Sequence, residues 1–557
     1  MGLIVGEDNF GAVIEKKLGF IDKSLFIKEL LDNEVVTVPV IIRPRRFGKT
    51  LNMSMLHHFL AAEVNGLKTE GMFDHLKIAK QGDRYMQQQG KYPVIFISLK
   101  SLKLDSYEKV YKALVRLISK TYAQHSKLLE SNILQMYEKK IFEDILNENA
   151  SRESLMGSLA DLSEYLHRHY KVKPWILIDE YDSPIQAGYL NNYYKDIIEL
   201  MRGLLGAALK GNVNIHRAVV TGILRIAKED LFSGLNNLKV FSVLDARYSD
   251  CFGFTQEEVD LALKQSDLQY LSKDIKAWYN GYHIGDSQIY NPWSIASCID
   301  EKVSLKPYWI NTSDNELIKK LLAESNATFK ERFEAVLQNR SIEVFINENL
   351  TFSDLSQNEE AVWSLLLFSG YLTAKQVQQR DIELQCSLFS PNQEISALYR
   401  STIRGWFTQK TGEALYQKTL QYLVNGQLDL FLPLLQKFLR ESSSYFDVKG
   451  DEPEKFYHGF VMGLIVSLSD SHIIHSNKES GLGRYDVLLI PKDKTRSGII
   501  LEFKVAKPDA DLQESAEEAL EQIKQRGYAA ELEQQSIFNI LKVGLAFRGK
   551  EVALASK

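Results

Sequence analysis

Two sets of residues in this 557-residue chain have types and spacings suited to phosphate chemistry. The first is Gly48-Lys49-Thr50, which closes the segment RPRRFGKT at 43–50. It follows the apolar run VVTVPVII and precedes a helical pattern in which Leu51, Met55, Leu56, Phe59 and Leu60 share one face. A strand-to-helix turn points free backbone N–H groups and the positive end of a helix dipole at an anion. Lys49 is then placed to reach the β- and γ-phosphates of ATP, and the Thr50 hydroxyl to ligate Mg²⁺. Arg43, Arg45 and Arg46 add cations around the expected phosphates. Arg43 stands where a full phosphate loop begins with Gly, and the change reads either as a wider loop or as a pocket that binds and hydrolyses slowly.

PWILIDEYD at 174–182 belongs with the first set. Four apolar residues carry a strand to its C-terminal end, where Asp179 can hold Mg²⁺ and Glu180 can orient or deprotonate a water. The alternative is a buried strand that simply meets solvent. After the next strand candidate, Thr221 is placed to sense a γ-phosphate and Arg225 to stabilise transferring charge; a surface salt bridge is the other reading of Arg225.

The second set lies in GRYDVLLIP (483–491) and SGIILEFKV (497–505), two strand patterns joined by a turn. Period-two alternation puts Glu502 and Lys504 on one side and Phe503 on the other. Asp486 can meet Glu502 across the pair. Two carboxylates so placed can hold one or two Mg²⁺ ions, with Mn²⁺ as a substitute, and Lys504 can position or activate a water. Charges embedded in an apolar strand cost free energy unless paired or liganded, so a structural salt bridge is the competing account.

The elements that must position these residues follow from pattern. Strand candidates at 35–42, 93–99, 174–179 and 216–222 are short, apolar and rich in Val or Ile, separated by long helical stretches. That is the α/β signature of a parallel sheet covered on both faces. Thr255 and Glu258 have capping-box spacing, which places a helix start there. WYNGYHIG at 278–285 reads as an aromatic cluster for stacking on a base or domain, or as a hairpin on a local core. Residues 314–440 read as mostly helical, and from about 441 the pattern becomes helix, three strands, helix, strand. These breaks give expected domains at 1–250, 251–350, 351–440 (a helical linker) and 441–557.

Bulk properties restrict the partners. A net charge of −5 argues against a basic nucleic-acid coat, and residues 441–557 hold 15 Lys and Arg against 19 Asp and Glu. Any grip on several phosphates needs a local strip such as Lys492, Lys494, Arg496, Lys504 and Lys507. Cys251, Cys298 and Cys386 are widely separated, which suits a reducing compartment. The start of the chain lacks an apolar signal core and the run FVMGLIVSL is too short for a bilayer, so the expectation is cytoplasmic with no membrane.

RPRRFGKT, ILIDEYDSPI, VTGILRIAKEDLFSGLNN and WYNGYHIG…YNPWSI together resemble the bacterial AAA-ATPase-like family, over roughly 10–300. Members of that family also carry Arg in place of the first loop Gly. The resemblance implies a P-loop NTPase with an ASCE-type parallel sheet and a helical lid-type subdomain, and it puts Asp22 and Lys23 near the nucleotide. The C-terminal pattern resembles the PD-(D/E)XK nuclease superfamily over about 450–550, which implies a restriction-endonuclease-like α/β domain. By that resemblance Gln522 and Tyr528 lie close to the site, and Glu454 supplies a further carboxylate. The combined expectation is an ATP-binding, ATP-hydrolysing protein that gates a Mg²⁺-dependent nuclease acting on DNA rather than RNA, in bacterial defence or genome maintenance. Self-association into a homo-oligomer is left open. The alternatives are a nucleotide-switched binding or signalling protein with a non-cleaving scaffold, and an ATP-driven translocase.

Overall fold

The computed structural model describes residues 3–224, 237–302, 304–309, 316–325, 327–349, 351–352, 354–356, 358–381, 383–442, 453–480, 483–507 and 509–557. They form two compact units, one of residues Met1–Ser313 with Glu343–Glu394, the other of Asp314–Ile342 with Ile395–Lys557. The chain therefore crosses between units three times.

The first unit is built on a parallel sheet of β1 (Val38–Ile42), β2 (Val94–Ser98), β3 (Trp175–Asp179), β4 (Arg217–Gly222) and β5 (Leu238–Phe241). Spatial order is β2-β3-β4-β1-β5, all parallel. Every residue of β1, β3 and β4 is buried, which is why their sequences are apolar runs without alternation. The four expected strands are all present, each trimmed by one to three residues. β5 is an addition, too short and too mixed (LKVF) to register as an apolar run. Helix α1 (Lys49–Leu60) follows β1 and packs Met53, Leu56, Phe59 and Leu60 into a core with Phe10, Phe26, Phe73 and the sheet residues Ile41, Leu177 and Val219.

Helix α2 (Gln256–Gln265) begins with the expected capping box, Thr255 and Glu258 each accepting from the other's backbone N–H. The aromatic segment at 278–285 forms the hairpin β6 (Tyr282–Ile284) and β7 (Ser287–Ile289). The expectation of a mostly helical stretch at 314–440 is corrected in part: β8 (Ile342–Ile346), β9 (Thr373–Arg380) and β10 (Glu383–Phe389) make a three-stranded sheet in the order β8-β10-β9. Six consecutive exposed residues end β9, so no apolar alternation marks it.

The second unit contains helix α3 (Ala327–Leu337), helix α4 (Pro453–Ile465) and a five-stranded mixed sheet. Its strands are β11 (His472–Ser480), β12 (Gly483–Pro491), β13 (Gly498–Val505), β14 (Ile540–Arg548) and β15 (Glu551–Ser556), paired in chain order. Only β13 and β14 run parallel, joined through helix α5 (Leu512–Gln525). Alternation divides the sheet cleanly. Val487, Leu489, Ile499, Leu501 and Phe503 pack with Phe460 and Leu464 of α4, while Leu488, Ile490 and Ile500 pack with Ala516, Leu520 and Ile523 of α5.

Candidate nucleotide and metal sites

The loop from β1 to α1 closes on Gly48, whose φ of +78° as the helix N-cap suits a residue with no Cβ. Lys49 is buried and turned into the loop, its Nζ donating to the carbonyls of Arg43 (2.9 Å) and Pro44 (2.8 Å). Burial pulls its pKa below the ordinary lysine value. Thr50 Oγ1 donates to Asp179 Oδ2 at 2.8 Å, and Thr221 Oγ1 donates to Asp179 Oδ1 at 2.6 Å. Because β4 lies between β1 and β3, Thr50 in the first turn of α1 after β1 meets Thr221 and Asp179, near the ends of β4 and β3, at the C-terminal edge of the sheet. Burial holds the Asp179 carboxyl above its usual range, against the hydroxyl of Thr221.

Glu180 follows with φ of +54°, a left-handed conformation uncommon for a residue with a side chain. Ser183 donates to its Oε2 at 3.0 Å. Asp182, absent from the sequence expectations, is buried beside this centre; its Oδ2 accepts from the N–H groups of Ile223 (3.0 Å) and Leu224 (2.9 Å), fixing the chain after Thr221. Its signal was the third acid of DEYD.

The three arginines part company. Arg43 is fully buried and points away from the loop; its guanidinium donates to the carbonyls of Ile42, Phe241, Ser242, Arg247 and Tyr248. Burial pushes its pKa down to about 10. The expectation of Arg43 as a phosphate contact is corrected: its side chain ties β1 to β5 and the turn beyond. Arg45 donates to Gln186 (2.8 Å), and Arg46 is exposed with its guanidinium 4.2 Å from the Trp293 ring centroid. Here the YNPW segment finds a use, since Asn291 Nδ2 also donates to the Arg45 carbonyl and the Tyr282 ring stands edge-on to Phe47, 5.0 Å away. Lys23 pairs with Glu258 (2.6 Å) and the Asp250 carbonyl, while Asp22 accepts from the backbone of Ser24 and Lys77, so both organise chain turns. Arg225 lies outside the described residues.

In the second unit, the β12–β13 pairing ends at Val487↔Leu501, and the next residue on each strand is Asp486 and Glu502. Asp486 Oδ2 accepts from Phe503 N at 2.7 Å, and Asp486 N donates to Glu502 Oε2 at 3.3 Å. Glu502 is buried against α5, where Gln522 Nε2 donates to its Oε1. Lys504 Nζ, two residues on and on the same face, pairs with Glu518, one helical turn before Gln522. Tyr528 is buried, its ring edge-on to Tyr485 at 6.0 Å and its hydroxyl accepting from Arg526 at 3.4 Å. Glu454 falls in the first turn of α4, and its side chain lies outside the described residues.

Behind the carboxylates sits a buried pair that no sequence pattern joins. His458 of α4 places Nδ1 3.2 Å from Glu334 Oε1 of α3 and Nε2 3.3 Å from the Asp486 carbonyl. Burial alone would lower the imidazole pKa, but the hydrogen bond and charge of Glu334, helped by Asp486, raise it to about 9. The two residues are 124 positions apart, and no local pattern links them.

A parallel sheet with one strand inserted between the loop strand and the acid-tipped strand, joined in one chain to a mixed sheet bearing Asp, Glu and Lys, defines a P-loop NTPase fold followed by a restriction-endonuclease-like domain. Residues 4–232 match the family described as predicted AAA-ATPase, and residues 452–557 match the PD-(D/E)XK nuclease superfamily. The chain is also 26% identical over 523 residues to a protein of Azotobacter chroococcum mcd 1 described as an uncharacterized protein in the vnfD 5′ region. The match spans 92% of this chain and 89% of that one. No helix among the described residues is long and apolar enough to cross a membrane.

Proposed function

We propose that the protein binds and hydrolyses ATP in its first unit and cleaves phosphodiesters, in DNA rather than RNA, in its second. The observation that carries the proposal is the convergence of Asp486 and Glu502 at adjacent strand positions with Lys504 on the same face. The donor set fits a hard divalent cation, because it consists of carboxylate oxygens with no nitrogen or sulfur ligand among them. Asp486 and Glu502 would hold Mg²⁺, or Mn²⁺ in its place. When bound, that cation lowers the pKa of a water and polarises the phosphodiester.

The protein's own groups do the rest. Gln522 fixes one oxygen of Glu502, leaving the other directed toward Asp486. Lys504, steadied by Glu518, places a positive charge where negative charge develops on the phosphorus. In the first unit, Lys49 and the loop N–H groups bind the triphosphate, and Thr50 and Asp179 would hold its Mg²⁺. Glu180, outside the buried hydroxyl cluster yet next to Asp179, orients the attacking water.

A second reading has its own support. The acidic balance of residues 441–557 favours a nucleotide-switched scaffold that does not cut. One experiment separates the two. Purified protein with DNA or RNA, Mg²⁺ or Mn²⁺ and ATP is scored for phosphate release and strand scission together. Scission lost in Asp486→Asn, with phosphate release lost separately in Glu180→Gln, supports the nuclease. Intact polynucleotide in every lane supports the scaffold.

A further inference from the structure

Glu334 and His458 form a buried polar pair directly behind the Asp486–Glu502 carboxylates. Glu334 is 6% exposed, as is His458. The imidazole places Nδ1 3.2 Å from a Glu334 carboxylate oxygen and Nε2 3.3 Å from the Asp486 main-chain carbonyl. Ser476 Oγ lies 3.3 Å from Glu334 Oε2 and 3.3 Å from His458 Nε2, closing the network on β11.

The ring touches both strands that carry the carboxylates. On β12 it bonds the Asp486 carbonyl; on β13 it meets the Phe503 ring edge-on at 5.8 Å. Phe503 sits between Glu502 and Lys504, and its N–H is the donor to Asp486 Oδ2. One side chain thus fixes the main-chain positions from which Asp486, Glu502 and Lys504 project. A core need not contain such a group. Apolar residues of the same volume would fill the space without the desolvation that a buried carboxylate and imidazole incur.

We infer that Glu334 and His458 are positioning residues for the metal-holding carboxylates of the second unit, Glu334 clamping the imidazole that sets the spacing of the β12 and β13 ends. This rests on the reading of that site as a metal-dependent nuclease centre. It adds a consequence: the centre is completed from outside the 452–557 segment. Glu334 belongs to residues 314–342, which leave the first unit after Ser313 and return to it at Glu343. Groups that orient ligating side chains typically change metal affinity or activity by about 10–100-fold when removed.

The test uses the full chain with Mn²⁺ as probe, read by calorimetric titration and by single-turnover DNA cleavage. Two variants are compared with the parent: Glu334→Gln, and the double change Glu334→Leu with His458→Phe. Replacing both partners by apolar groups of similar shape can leave stability nearly unchanged, so the double variant separates packing from positioning. Expected are Mn²⁺ affinity and cleavage rate each lowered by about 10-fold or more in both variants, with ATP turnover retained in both and melting temperature retained in the double variant. Folded variants that bind Mn²⁺ and cut within about twofold of the parent would overturn the inference, that being well inside the loss a positioning group causes. Should the double variant not fold, Glu334→Gln decides by the same criterion. A parent that neither binds Mn²⁺ nor cuts overturns the nuclease reading, and this inference with it.

Discussion

Restoring glycine at position 43 gives the loop the residue that a full phosphate loop has at that place, and a motif-based argument expects tighter nucleotide binding. The structure argues the reverse. The Arg43 guanidinium donates to the carbonyls of Ile42 (2.7 Å), Ser242 (2.8 Å) and Tyr248 (2.9 Å), and at longer range to those of Phe241 and Arg247. It also lies 5.7 Å from the Phe252 ring centroid. Removing it takes a donor from these buried carbonyls, of which that of Ser242 keeps the Asp245 N–H at 3.4 Å, and each acceptor left unsatisfied costs about 1–3 kcal/mol. Water entering the space offsets part of that sum. Loss of side-chain volume and the greater backbone entropy of Gly add about 1 kcal/mol more. Arg43→Gly should therefore destabilise the first unit by about 3–5 kcal/mol, a large share of a domain's total stability. Urea denaturation, with hydrogen exchange followed at 38–42 and 238–241, reads this directly. The expected pattern is early exchange in both strands and weaker nucleotide binding. A variant within about 1 kcal/mol of the parent that binds ATP more tightly would refute the assignment of Arg43 as a structural clamp, since each stranded acceptor alone should cost that much.

Four further outcomes are expected. Thr50→Val keeps the shape but removes the donor to Asp179 and the hydroxyl proposed to ligate Mg²⁺, so ATP turnover should fall at least about 10-fold with the fold retained by circular dichroism. Gly222→Ala puts a methyl 2.5 Å from the Tyr181 ring and 2.9 Å from Asp182 Oδ1, so it should cost about 1–3 kcal/mol and slow hydrolysis by displacing Asp182. Lys504→Ala should abolish cleavage while leaving calorimetric Mn²⁺ binding intact, because Lys504 is not a metal ligand. The His458 pKa is raised from 6.5 to about 9, so its stabilisation is fully present below pH 6.5 and is lost as pH rises through about 9. Stability of the second unit should fall by about 3 kcal/mol over that interval, and His458→Gln should flatten the profile.

Much of this was legible because it is local. Apolar runs at 35–42 and 174–179 announce strands covered on both faces, and the acids or glycines that end them announce loops at the sheet edge. The strand Gly483–Pro491 has the bounds of the segment GRYDVLLIP, whose apolar run meets the turn-forming KDKTR. What stayed hidden depends on direction or distance. Sequence supplies three cations at 43, 45 and 46, yet only the fold shows that Arg43 turns inward to carbonyls of β5 and its following turn while Arg46 lies over Trp293. Glu334 and His458 are each unremarkable in their own helices, and only tertiary packing makes them a pair. β9 is exposed at six successive positions with Val377 the single apolar residue among them, so no hydrophobic period betrays it.

The central claim is that one polypeptide carries two sites for divalent metal and phosphate, at Thr50–Asp179 and at Asp486–Glu502. Anomalous diffraction from crystals grown with Mn²⁺ and a non-hydrolysable ATP analogue tests it most directly. The account predicts one Mn²⁺ peak beside Thr50 and Asp179, and at least one bridging Asp486 and Glu502. Density at neither pair, in crystals where the analogue is bound elsewhere, would contradict it.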